Sequence, residues 1–142
     1  MRATTITLAM IAACAALPAQ AGDRAFAKAN ASLLTEEYVG QPLWSLLASC
    51  AGAQGAAHAF YAANNRAAQA DESRVAGAQF LELAVDRLVV DRRVDRKAAL
   101  EVTLPAVEAG RVSGTDALTY RGRDKGLKWL SMQTACDEIA GA

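Results

Sequence analysis

From Pro42 to about Asn65, apolar side chains recur every three or four positions. Leu43, Leu46, Leu47, Cys50, Ala57 and Tyr61 form one stripe with Gln54 among them, which predicts a helix. A second side of the same segment carries only small residues, Ala48, Gly52, Ala56, Ala59 and Ala63, so another helix backbone is expected to pack close there. Pro42 suits the first turn of this helix because the N–H it lacks would be unpaired there anyway. Asn64-Asn65 then signals a turn.

The next periodic run joins Ala76, Phe80, Leu83, Ala84 and Leu88, widened by Leu81 and Val85. It predicts a helix from Ser73 to about Asp91, with Asp71-Glu72-Ser73 supplying capping chemistry. No Gly or Pro interrupts Asp91-Arg92-Arg93-Val94-Asp95-Arg96-Lys97. A single helix from Ser73 to Leu104 would nevertheless be far longer than usual, so a short turn is expected, with Asp95 capping a new helix. Ala98, Ala99, Val102 and Val107 continue that helix, Pro105 is expected to kink or restart it, and Gly110 to end it. Ser113 and Asp116 are spaced as a capping box, which places the start of a last helix near Thr115, with Asp124 as an alternative start. Trp129, Met132, Cys136 and Ile139 share its inner stripe.

Before Pro42 the pattern differs. Arg2, the apolar stretch from Ile6 to Leu17 and Ala19-Gln20-Ala21 read as a secretory leader cut after Ala21. A competing reading makes Ile11-Ala12-Ala13-Cys14 a lipoprotein signal acylated at Cys14. The apolar residues after Cys14 argue against it, since a tether leaving a membrane should be polar. Residues 22–41 form an N-terminal arm with partly helical spacing at Phe26, Ala29 and Leu33, and 42–142 the helical domain. No later stretch reaches the roughly 20 apolar residues of a membrane span without charges.

Export changes the meaning of the cysteines. The chain beyond the leader keeps Cys50 and Cys136, which an oxidising compartment would pair. Each falls on the inner stripe of its helix, so one disulfide is expected to clamp the two ends of an all-α bundle of about four helices. Closing a loop of 86 residues contributes up to about 4.6 kcal/mol on the chain-entropy account. Trp44 and Trp129 precede the two cysteines by six and seven residues, which suggests indoles packed near the bridge. No Cys-x-x-Cys spacing is present to tune a thiol for redox catalysis.

Charge and chemistry narrow the function mainly by exclusion. Fifteen basic residues, one of them in the leader, face fifteen acidic ones, a balance that gives no general attraction to nucleic acid. His58 is the only histidine, so multi-histidine metal sites are excluded and any catalytic triad would depend on it. No nucleophile elbow, phosphate loop or calcium loop is present. The most distinctive polar feature is the repeated Asp-Arg run, in which Arg87, Asp91, Arg92, Arg93, Asp95 and Arg96 form a candidate docking face. The sequence therefore points to a periplasmic or secreted, non-enzymatic interaction module without a cofactor, whose partner is another exported protein. The alternative is a small-molecule or non-covalent haem carrier using His58 and Met132 inside the bundle.

Overall fold

The computed structural model describes residues 40–124 and 126–141, so the leader and most of the N-terminal arm lie outside the described residues. Four helices follow in order: α1 Leu43–Ala63, α2 Ala67–Arg92, α3 Arg96–Thr119 and α4 Leu127–Ala140. There is no strand among the described residues, and the all-α bundle expected from the periodicity is the architecture found.

The centre of the bundle is α1. Leu47, Ala48, Cys50, Ala51, Gly52, Ala53, Gln54, Ala56 and Ala57 are all buried, which is nearly every side of the helix over about three turns. A helix that is apolar or small all round has to be covered all round. On one side α2 runs antiparallel, joined by the three-residue turn Asn64-Asn65-Arg66, in which Asn65 takes a left-handed φ of 57°. On another side α3 runs parallel to α1, and α4 crosses back antiparallel, with Trp129 beside Ala53 and Ala57, and Ile139 beside Leu47. The chain packs α1 heavily against α2 and α3, while α2 and α3 touch each other far less.

Glycine permits the α1–α3 contact. A Cβ on Gly110 would lie 1.8 Å from the Ser49 carbonyl oxygen, and one on Gly52 would lie 1.8 Å from that of Val107. The two backbones touch directly, and the Ser49 hydroxyl donates to the Ala106 carbonyl at 3.2 Å across the seam. The small-residue side of α1 meets this seam through Ala48, Gly52 and Ala56, whereas Ala59 and Ala63 lie beyond it and are exposed.

Several expected boundaries hold. Pro42 is the N-cap of α1, and its carbonyl accepts from the N–H groups of Ser45 and Leu46. A turn does separate α2 from α3: Arg93 adopts φ 53°, and the Asp95 carboxylate accepts from the Ala98 N–H at 2.9 Å.

Others move. α2 starts at Ala67 instead of Ser73: Ser73 is buried, and Asp71 bonds Arg74 at 2.7 Å on the surface. α3 passes unbroken through Pro105, Gly110 and Gly114. Pro105 and Glu101, whose carbonyl loses its partner, are both exposed, so water can take the orphaned acceptor. Gly110 is needed for close approach and not as a cap. Ser113 and Asp116 lie inside α3, where the neighbouring Thr115 hydroxyl donates back to the Arg111 carbonyl in mid-helix fashion. α4 therefore begins at Leu127, after the turn in which the Leu127 N–H bonds the Asp124 carbonyl, so the alternative start near Asp124 is the closer one.

Candidate functional site

The disulfide forms as expected. Cys50 of α1 and Cys136 of α4 are bonded with Cα atoms 5.6 Å apart, both almost fully buried. Around them lie Leu47, Ala48, Ala51, Phe80, Ala84 and Ile139. The indoles are elsewhere. Trp44 packs with Val85, Leu88 and Ala99 at the α2–α3 turn, and Trp129 packs with Ala53, Ala57 and Ala117. The spacing of each indole from its cysteine carries it about two turns along the helix, into a different layer of the core.

The Asp-Arg run lies at the junction of α2 and α3, and most of its charges have partners within the chain. Arg87 bonds Asp91 at 3.1 Å, one turn apart on α2. Asp95 caps α3. The Arg92 guanidinium lies over the Trp44 ring, 5.2 Å from its centroid. Arg96 crosses from the first turn of α3 to α2, bonding Asp86 at 2.5 Å and also Glu82. Those two carboxylates hold its guanidinium above its ordinary pKa, mainly through the hydrogen bonds. Arg93 makes no comparable side-chain contact among the described residues. The run thus builds the turn, and as a docking face it offers fewer unengaged charges than its sequence suggests.

Sequence reasoning missed the apolar side chains beside it. On α2, Leu83 and Val90 flank Asp86 on one outward stripe and are 45% and 72% exposed. On α3, Leu100 and Leu104 follow Arg96 at successive i+4 steps and are 43% and 57% exposed. Because Arg96 reaches Asp86 and Glu82, the two stripes border the same α2–α3 seam. The periodicity of α2 places Leu83 on the core face, and the structure leaves it in water. The buried side of α2 carries Phe80, Ala84, Val85 and Leu88 with Leu81 packed against it, so the widening toward Leu81 and Val85 holds while Leu83 falls on the uncovered side.

His58 and Met132 are not brought together. The His58 ring binds the Ala70 carbonyl through Nδ1 at 2.9 Å, and since a carbonyl only accepts, Nδ1 carries the proton. The ring ties the end of α1 to the start of α2 and lines a shallow depression with Asn65, Ala67 and Asp71. Met132 lines a groove between α1, α3 and α4, with Leu46, Ser49, Ser113, Ile139 and the two cysteines. This groove holds about 160 Å³, close to the size of a cavity for a single benzene-like molecule and well below the ~300 Å³ at which drug-sized pockets begin. Among the described residues no group of His, Cys, Asp or Glu converges as metal ligands, and no helix is long and apolar enough to cross a membrane.

Two buried side-chain polar atoms of α4, the Trp129 indole nitrogen and Glu138 Oε1, lack a hydrogen-bond partner among the described residues. For the indole N–H, burial without an acceptor costs about 1–3 kcal/mol. About two turns further along α4, desolvation holds the Asp137 carboxyl above its ordinary pKa. Compared with protein-family models, curated proteins and solved structures, the chain matches none.

Proposed function

We propose that this chain is an exported, non-enzymatic interaction module that binds another exported protein through the outer side of the α2–α3 pair. The reading is carried by Leu83, Val90, Leu100 and Leu104, large apolar side chains left in water beside the Arg96–Glu82–Asp86 cluster. An apolar patch rimmed by charge is the usual anatomy of a protein-binding surface. In such a complex the leucines supply burial, while the ionic cluster sets register at the rim. Export is supported by the leader-like Met1 to Ala21 segment and by a disulfide that suits an oxidising compartment.

A photo-crosslinking residue placed at Leu104 tests the reading in cells that make the protein, with the same residue at Ala63 as the control. A discrete adduct at 104, absent at 63 and lost on adding Leu100→Ser, is the expected result. No adduct at 104, or one that persists with Leu100→Ser, would overturn it.

A further inference from the structure

We infer that the Cys50–Cys136 bridge is a redox latch for α4 alone: its reduction releases α4 from a three-helix core that stays folded. The inference stands apart from the proposed docking face and rests on how unequally the helices are held. α1, α2 and α3 pack tightly, with backbone contact along the Gly52 and Gly110 seam and the His58 bond at the α1–α2 end. α4 touches α1 and α3 only lightly. Among its 14 residues just Trp129, Cys136 and Ile139 are buried, and one of these is the latch itself. Trp129, the largest of them, is buried with an N–H that has no acceptor among the described residues, while Leu127 and Leu130 point to solvent at 59% and 57% exposure.

Two further features suit release. The connection before α4 ends at Gly126, whose φ of 90° favours glycine and whose missing side chain faces open space, so the chain can pivot there without a clash. Both cysteines line the groove between α1, α3 and α4, at the boundary of α4. A dithiol supplies two electrons and two protons to the S–S bond, leaving thiols on Cys50 and Cys136 and a disulfide on the reductant. Freed, α4 is a 14-residue helix with little to bury, a length at which isolated helices are marginal in water. Its departure uncovers Leu46, Ala53 and the Gly110 backbone on the α1–α3 side.

Hydrogen exchange read peptide by peptide, on the oxidised protein and on the protein reduced with dithiothreitol, tests the latch. Protection at residues 127–140 should fall by at least tenfold on reduction, while α1, α2 and α3 keep theirs. The double variant Cys50→Ser/Cys136→Ser should reproduce the reduced pattern. The rate of reduction should also be flat in urea well below the global unfolding transition. Retained protection in α4, simultaneous loss in all four helices, or a reduction rate that tracks global unfolding would each overturn the inference.

Discussion

Replacing Gly110 by alanine and Gly55 by alanine should move stability in opposite directions, although both glycines lie inside helices. Helix propensity alone favours alanine by about 1 kcal/mol at either site. At Gly55 a Cβ meets nothing within 4 Å, so that gain stands, and Gly55→Ala should stabilise the fold by about 1 kcal/mol. At Gly110 the new Cβ would lie 1.8 Å from the Ser49 carbonyl oxygen, where real contacts stay beyond 3.0 Å, so α1 and α3 must part by about 1.2 Å. A gap of that size forfeits about half or more of the dispersion contact at the seam. It also stretches the 3.2 Å Ser49–Ala106 hydrogen bond beyond use, a further loss of about 1 kcal/mol. With overpacking strain of about 1–3 kcal/mol added, the propensity gain is overwhelmed, and Gly110→Ala should destabilise by about 2 kcal/mol or more. Urea unfolding followed by far-ultraviolet circular dichroism reads both variants as midpoint shifts at constant slope. A Gly110→Ala midpoint raised like that of Gly55→Ala would refute the backbone contact between α1 and α3.

The α2–α3 turn yields two further tests. Asp95→Ala removes the α3 cap and should lower stability by about 1 kcal/mol, measured by the same urea transition. Arg93→Gly places glycine where the backbone is already left-handed at φ 53°, and should raise the melting temperature through about 1 kcal/mol of relieved strain. Asp137→Asn bears on pH. Desolvation raises the native carboxyl above its unfolded value, so the native state prefers the protonated form, and stability falls as pH rises through the unfolded and then the folded pKa. The asparagine variant should therefore melt higher than the parent at pH 7 and lose that advantage below pH 3. An advantage that persists unchanged at acid pH would show that desolvation of the charge is not its source.

Much of the α-helical organisation is legible before any coordinates. Each of its signals is local: the stripe from Leu43 to Tyr61, the Asn64-Asn65 turn, the capping carboxylate of Asp95. The Cys50–Cys136 pairing is also legible, because both thiols lie on the inner stripes of their helices in a chain with no other cysteine after Cys14. The candidate interface was legible only in part. The Asp-Arg run drew attention to the α2–α3 junction, yet Arg96 ties α3 to α2, Asp95 caps α3 and Asp91 pairs with Arg87 within α2, and the exposed Leu100 and Leu104 beside them carry no sign in the sequence that they stay in water.

By itself, then, the sequence determined the all-α class, the α1 stripe and the Asp95 turn, and singled out Cys50 and Cys136 as the pair, since periodicity and capping act over a few residues and both thiols lie on inner stripes. Tertiary structure decided the rest. Gly110 reads as a helix stop from its propensity and serves as a contact point, because a glycine in an α-helix differs from a cap only in what passes beside it. Whether His58 and Met132 face one cavity, and which side of α2 is left uncovered, depends on the packing of α1 against three neighbours at once. No single helix's pattern contains that information.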